Sequence, residues 1–565
     1  MKEFLQQAIR QALIEGLGIE AEQLPAFNVE PPREASHGDL ASNVAMVLAR
    51  RLHRSPRDIA AELAGILEKL EDIDKVEVAG PGFVNFFITP AAWHRRLVEI
   101  LHQGDSYGRR APAGQGDVLL EFVSANPTGP LHFGHGRGAV VGDVLAALLE
   151  FAGWRVTREY YVNDAGAQVD ALVESIMFRL REERGLEAEF PADGYRGDYV
   201  RQMARQLPEE LTAFLPGPAD DDTREKIRAF ALQRMMELIR SDLDAFGVSI
   251  DHFAPESRVV EDGRVSQVIE KLDHHGHLER RDGALWFLAD RFGDSKPRVL
   301  VKSNGQHTYF ATDIAYHLDK VERGYQYLID VWGADHHGYV PRMKAALQAL
   351  QVDPRRLEVV LVQMVSLLRD GQPVVMSKRQ GQITTLRQVV DEVGRDAARF
   401  FFLLRGPDSQ MEFDLELAKR RSLDNPVYYV QYGHARLCSI LARAGERGLP
   451  VPRPEQAEAE ALQPLELPEE IEMMKRMTAF PELVVRAAES RAPHLLVFYL
   501  QELVATFHRY YTSYGRTSPI LGGDPPLLRA RLLLVLALRQ VLRNALSLLG
   551  VAAPERMETP PEEQQ

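Results

Sequence analysis

The 565-residue sequence predicts a multidomain protein. It should have a small α+β unit, a doubly wound α/β unit on a parallel sheet, and an all-α bundle. Three observations predict this. A single core rarely grows past about 250–300 residues, so a chain of this length divides. From Asp117 to Phe151 a short apolar run, a glycine-rich turn and a long apolar helix follow one another, the way a doubly wound sheet opens. From about Asp424 onward the apolar residues recur at helical spacing almost throughout.

The first unit is expected over residues 1–105. Phe4, Leu5, Ile9, Leu13, Ile14 and Leu17 fall on one helical face. Asn43–Arg51 and Arg57–Leu70 also read as helices, with Ser55-Pro56 starting the second. Lys75–Ile88 alternates and ends in a glycine–proline turn and an apolar strand. Gly104–Gly116, polar and glycine-rich, reads as a linker. The second unit is expected over 106–423. Asp117–Val123 suits a buried parallel strand, about Gly134–Phe151 a helix, and Arg155–Asn163 the next strand. Insertions occupy about 165–305: polar helices around an acidic loop at Asp220-Asp221-Asp222, then a β-rich stretch over 256–310. Asp330–Asp335 and Val359–Gln363 resume the α/β pattern. The third unit, 424–565, reads as a bundle to about Leu549 and a frayed tail over 553–565.

Hydrophobic residues make up 45% and charged residues 26%, which fits a soluble globular protein. The one cysteine, Cys438, cannot form an internal disulfide or a cysteine-rich zinc site, so no protein-bound zinc is expected. Lys2, Glu3 and Glu15 do not suit a signal peptide, and the longest apolar run, Leu532–Leu538, is far too short for a membrane span. A cytoplasmic protein without a membrane partner is expected. The net charge of −14 runs against nucleic-acid binding. Distribution outweighs the total, however, and basic clusters stand at Arg50–Arg54, Lys419–Arg421 and Arg529–Arg543. Each has the plain reading of a solvated face, so charge decides nothing here.

Two motifs carry chemistry. Pro130-Leu131-His132-Phe133-Gly134-His135-Gly136 lies between the first strand and its helix. Gly134 and Gly136 allow close approach of backbone and ligand, and the helix N-terminus offers unpaired N–H groups to phosphate. His132 and His135, three apart, can donate to oxygens whose charge grows in a transition state. The competing readings are a metal-binding histidine pair, with no third ligand nearby, and a purely structural turn. About 240 residues later come Met376, Ser377, Lys378, Arg379 and Gly381. A lysine charge flanked by hydroxyl and backbone donors suits a polyphosphate, although alone this reads equally as a solvated loop.

Together, in this order and spacing, the motifs resemble the HIGH and KMSKS signatures of class I aminoacyl-tRNA synthetases. The wider text narrows the resemblance. EFVSANPTGPLHFGHGR (121–137), HGDLASNVAM (37–46), GPGFVNFF (80–87), YFATDIAYH (309–317), GADHHGYVPR (333–342), NPVYYVQYGHAR (425–436) and LLGVAAPERM (548–557) are similar to bacterial arginyl-tRNA synthetases, from one end of the chain to the other. The resemblance implies a Rossmann-like catalytic domain between an N-terminal domain touching the tRNA elbow and a C-terminal helical domain reading the anticodon. It implies ATP with Mg2+, L-arginine and tRNA(Arg) as reactants, a monomer, and adenylate formation that needs bound tRNA.

The resemblance also implies site residues. His132, His135 and Lys378 would be catalytic. ATP would meet Gly134, Gly136, Gly333, Asp335, Met376, Ser377, Lys378 and Arg379. Arginine would meet Glu121, Ser124, Asn126, His132, Tyr309, Asp313 and His336. A guanidinium group wants paired carboxylates in fork geometry, which Glu121 and Asp313 can offer. A side chain read by several hydrogen bonds needs no editing domain. The sequence departs from the family pattern at Val375, where the signature loop usually begins with lysine, and at His336, where some members have glutamine. Lys378 is present, and Pro127–Pro130 carries no substitute lysine. Aromatics of the last unit at helical spacing are usually core. Tyr432, Arg436 and Arg509 are the candidates for holding splayed tRNA bases. Rival readings are another class I specificity, a small-molecule nucleotidyltransferase, which is usually much shorter, and a non-catalytic tRNA binder, which should have lost His132, His135 or Lys378.

Overall fold

A computed structural model describes residues 1–112, 114, 116–374, 384–515 and 517–559. Its centre is a five-stranded parallel sheet. Strand β1 (Asp117–Glu121) lies between β2 (Arg155–Val162) and β4 (Tyr327–Gly333), with β3 (His252–Pro255) beyond β2 and β5 (Leu357–Val362) beyond β4. The order β5-β4-β1-β2-β3 reverses direction between β1 and β4, so a crevice opens at the carboxyl ends of those two strands. Val118, Leu119 and Leu120 are buried, as a strand covered on both faces requires. Helix α1 (Phe133–Phe151) crosses from β1 to β2 and packs tightly on the strand: a Cβ at Gly142 would sit 2.3 Å from the Phe122 ring.

The N-terminal unit is a four-stranded antiparallel sheet, Val29–Glu30, Leu40–Ser42, Phe83–Ile88 and Ile73–Ala79 in that spatial order, with helices packed on it. Helix Pro56–Leu67 starts with Ser55 as cap and Pro56 at the first turn, where a missing N–H costs nothing. The C-terminal unit is all-helical, with α4 (Pro426–Glu446), α5 (His494–Tyr514) and α6 (Pro525–Leu548) as its long members. At its centre Arg531 and the Tyr510 hydroxyl both donate to Glu470 Oε1, at 2.9 and 2.8 Å. One member of the basic run Arg529–Arg543 thus points into the core. Among the described residues no helix is long and apolar enough to cross a membrane.

Four expectations change. Asp220–Asp222 is no loop: Asp220 caps helix α2 (Asp221–Phe246), accepting the Thr223 N–H at 2.8 Å, and the next two acids sit in the first turn, where the helix dipole favours them. Residues 256–310 begin with two helices, Glu256–Glu261 and Arg264–His274, before a three-stranded antiparallel sheet. The expected linker is docked: the Asp105 carboxylate accepts from Gln540 at 2.8 Å and from Arg543, and Asn544 donates to the Gly104 carbonyl at 3.0 Å. The described part of the tail lies along α4, where Gln431, His434 and Tyr428 donate to the carbonyls of Ala552, Pro554 and Glu558 at 2.9, 2.9 and 2.7 Å.

One buried guanidinium joins the α/β unit to the bundle. Arg399, fully buried on helix Arg395–Phe402, donates to Leu549 O at 2.9 Å, to Phe246 O at 3.2 Å and to Gly247 O at 2.9 Å, and pairs with Asp143 of α1. Arg399→Met would strand three carbonyls and a carboxylate. We expect a loss of about 3–5 kcal/mol, seen as a lower midpoint in thermal melts. An unchanged midpoint would mean that the ends of α2 and α6 are held by apolar packing alone.

Candidate active site

The last register position of β1 places Glu121 opposite Asp330 of β4 and opposite Glu159 of β2. Three carboxylates abreast on one sheet face repel one another and are buried. Helix α3 (Tyr309–Glu322) and the residue after it supply the compensation. Lys320, fully buried, donates to Glu121 Oε2 and to Asp330 Oδ1, the latter at 2.9 Å. His317 lies 2.7 Å from the second Asp330 oxygen and 2.8 Å from the Asp313 carbonyl. Arg323 grips Glu159 in a fork at 2.7 and 2.9 Å, joined by the Tyr316 hydroxyl at 2.6 Å. Burial pushes the Glu121 carboxyl up, and Lys320 opposes the rise. Burial acts the same way on Asp330, but Lys320 and His317 outweigh it and hold that carboxyl below its usual range.

Beyond Glu121 the chain turns through two left-handed residues, Val123 (φ 69°) and Ser124 (φ 40°). A β-branched residue there is strained. The turn returns the Ser124 hydroxyl to the strand end, where it donates to Glu121 Oε1 at 2.8 Å and accepts the Tyr161 N–H at 3.1 Å. Asn126, exposed, donates to Gln168 at 2.7 Å. The histidine motif follows: His132 sits at the N-cap of α1, and its ring stacks on that of His135 at 3.6 Å and 27°. Gly134 is exposed, and a Cβ there would meet the His132 ring at 2.9 Å. Gly136 does a different job from the expected one. It is buried, and a Cβ would strike Leu386 and Phe402 at 2.8 Å, so it permits helix packing rather than ligand approach. Arg137, pushed down to about 10 by burial, donates to the carbonyls of Gln363 (2.9 Å), Gly406 (2.7 Å) and Ser409 (2.7 Å).

Met376, Ser377, Lys378 and Arg379 lie outside the described residues. The segment that follows them is tied to the histidine motif: the Phe133 N–H donates to Thr384 O at 3.0 Å, and the Leu386 N–H to Leu131 O at 2.8 Å. At the end of β4, Gly333 leaves room for Asp335, whose Oδ1 would lie 2.5 Å from a Cβ. The side chains of Asp335 and His336 are exposed and 3.6 Å apart.

A further acidic pocket faces Glu121 across the crevice. Asp313 accepts the Tyr339 hydroxyl, and burial raises its carboxyl. Glu256, 6% exposed, has one carboxylate oxygen with no hydrogen-bond partner among the described residues. Burial, with Asp313 and Asp164 adding, pushes it up to about 7. The buried Tyr161 hydroxyl is likewise unpartnered, and Glu256, Asp313, Glu121 and Asp164 all bear on it. Tyr309 stands at the mouth, 63% exposed. Acceptors left open at a buried, negative site suit a cation with several donors, such as a planar guanidinium. Sequence reading missed Glu256. A lone acid starting a short helix looks like a surface charge, and only its burial sets it apart. Among the described residues no group of three or more His, Cys, Asp and Glu is placed to hold a metal ion.

In the bundle the Arg436 guanidinium lies 4.8 Å from the rings of both Tyr432 and Tyr511 and donates to the Tyr432 hydroxyl at 3.0 Å. Tyr428 stacks on Tyr432 at 10°. Arg509, on α5, donates to Thr506 at 3.1 Å. A cavity of about 230 Å³ lined by Arg443, Arg447, Tyr511 and Tyr514 lies alongside. Phe507 and Tyr510 are core.

Three family models match the chain: the arginyl tRNA synthetase N terminal domain over residues 3–88, the class I (R) tRNA synthetase catalytic domain over 96–401, and the DALR anticodon binding domain over 430–557. An arginine–tRNA ligase of Syntrophotalea carbinolica is 47% identical, covering 99% of this chain and 100% of that protein. One of Halorhodospira halophila is 48% identical over 95% of this chain and 96% of its own. The solved arginyl-tRNA synthetase of Thermus thermophilus superimposes with a TM-score of 0.75 at 25% identity, covering 99% of this chain and 100% of that one.

Glu256 carries a prediction of its own. Its folded-state pKa is raised, so the folded protein holds the proton more tightly than the unfolded chain. The carboxyl therefore lowers stability as pH rises from about 4.3, the unfolded value, to about 7, and the cost persists above that. Glu256→Gln mimics the protonated form. In thermal melts without ligands it should gain about 2 kcal/mol at pH 8 and little at pH 4.5. Equal melts at pH 8 would show that the carboxylate is satisfied in the ground state.

Proposed function

The chain belongs to the arginyl-tRNA synthetases and attaches L-arginine to tRNA(Arg) using ATP, and on that premise we propose how its residues divide the work. The acid-lined pocket, with buried acceptors left open, is the observation that carries this division. Asp313 and Glu256 receive the guanidinium group, in place of the Glu121–Asp313 pair expected from the sequence, since Lys320 and Ser124 already engage both Glu121 oxygens. Tyr309 lies against the guanidinium plane. Glu121, with Ser124 and Asn126, receives the α-ammonium and carboxylate end, near His132. A shorter or uncharged amino acid would leave those carboxylates unpaired, which discriminates strongly without editing.

ATP lies across the switch point, its phosphates over Gly134 and the N-terminus of α1 and its ribose at Gly333 and Asp335, with His336 beside them. The arginine carboxylate attacks the α-phosphorus in line and pyrophosphate leaves. A ribose hydroxyl of the tRNA end then attacks the activated carbonyl and AMP leaves. His132 and His135 donate to phosphate oxygens as charge builds on them, and Lys378, with Met376, Ser377 and Arg379, holds the departing pyrophosphate. The β-bridge between His132 and Thr385 supports this pairing of the two motifs. Mg2+ enters with the ATP phosphates. Residues 1–105, 106–423 and 424–565 act as elbow-contacting, catalytic and anticodon-binding domains. In the last, Tyr432, Arg436 and Arg509 hold loop bases by stacking and charge. The family resemblance supports a cytoplasmic monomer.

Purified protein with ATP, magnesium and total bacterial tRNA should give acid-precipitable counts with labelled arginine and with none of the other nineteen amino acids. Asp313→Asn should raise the KM for arginine about 100-fold, or about 2.7 kcal/mol. Charging of another amino acid, or an unmoved KM, would overturn the pocket assignment. Lys378→Ala should lower kcat several hundred-fold, about 4 kcal/mol. Near-native turnover would show that another cation serves the phosphates.

A further inference from the structure

Lys320 is the only fully buried lysine among the described residues, and it never reaches the crevice. Its ammonium sits beneath Glu121, between that carboxylate and Asp330, with its charge 4.4 Å from the Tyr316 ring centre. Glu121 therefore has both oxygens engaged from the protein side, Oε2 by Lys320 and Oε1 by Ser124. Two oxygens so held leave only their remaining lone pairs to meet a ligand, which fixes the direction from which a cation is received.

We propose that Lys320 is a positioning residue for the reaction, holding Glu121 ionised and aimed so that its carboxylate receives the α-ammonium of arginine. This rests on the reading that Glu121 serves that end of the substrate. The groups facing Glu121 make the need plain. From β4 comes Asp330 and from β2 comes Glu159, both like charges in register; from α3 come Lys320 and His317, and from the turn Ser124. Arg323 is committed to Glu159 and His317 to Asp330. Among the described residues, Lys320 is left as the cation that touches Glu121 directly. Without it, a buried carboxylate between two others takes up a proton more readily and turns from acceptor to donor. Arginine would then meet a neutral group.

The test is arginine and ATP KM values in the charging assay between pH 6.5 and 8.5. Lys320→Met is the first variant. Lys320→Met with Asp330→Asn removes one charge of each sign and preserves the fold if the single change does not. In either, the arginine KM should rise tenfold or more at pH 7 and fall back as pH rises, while the ATP KM stays within twofold. A lysine serving only stability would shift neither the pH profile nor one KM alone. Adding Lys320→Met to Glu121→Gln should change the arginine KM less than twofold further, because the lysine acts through that carboxylate. A flat, near-native arginine KM in a folded Lys320 variant, beside a raised KM in Glu121→Gln, overturns the proposal alone. An unmoved KM in Glu121→Gln overturns the reading beneath it as well.

Discussion

Three carboxylates side by side on neighbouring parallel strands cannot stay buried unless cations come down on them. That requirement sets the position of α3. Asp313, His317 and Lys320 recur at intervals of four and three residues, so they form one stripe along the helix, and Arg323 continues it just past the end. Once Lys320 and Arg323 are seated on Glu121, Asp330 and Glu159, the other end of the stripe falls at the crevice, with Asp313 inside and Tyr309 at its mouth. The substrate pocket is thus the outer end of an arrangement whose inner end satisfies the sheet.

The same economy governs the motifs. Arg137 follows the histidine motif immediately and pairs with no carboxylate among the described residues. It is held by four carbonyls from the segments after β5 and after helix Arg395–Phe402. Those segments lead into and out of the region that carries Lys378, so one guanidinium fixes the start of α1 against both. Arg399 does the equivalent work midway along α1, through Asp143. Both arginines are buried among backbone oxygens, which makes them angle-setting elements more than charge partners.

The fold class was legible because its signals are local. The apolar run Asp117–Val123, the glycine turn and the helix to Phe151 are each decided within a few residues of sequence. The departures are places where a distant partner decides. Asp220–Asp222 has the composition of a loop and is recruited as a cap. The residues after Ala552 have no periodicity, yet polar side chains of α4 satisfy their carbonyls. Glu121 and Asp313 stood out because they flank recognisable motifs. Glu256 and Lys320 did not, since nothing in their neighbourhoods distinguishes a buried charge from a solvated one. Gly136 was read correctly as a close approach and wrongly as to what approaches, because spacing does not say which side of a helix faces the protein.

The ion pair between Glu121 and Lys320 spans 199 positions of the chain. At a ribosomal pace of about 5–20 residues per second, the strand end carrying Glu121 is made some 10–40 seconds before its lysine emerges. Through that interval the carboxylate stays in water, and Asp330, its neighbour on β4, has not yet been made either. A nascent chain stopped anywhere in the insertion therefore has its nucleotide-binding turn but no place for the amino acid. The pocket for the amino acid arrives late, when α3 docks.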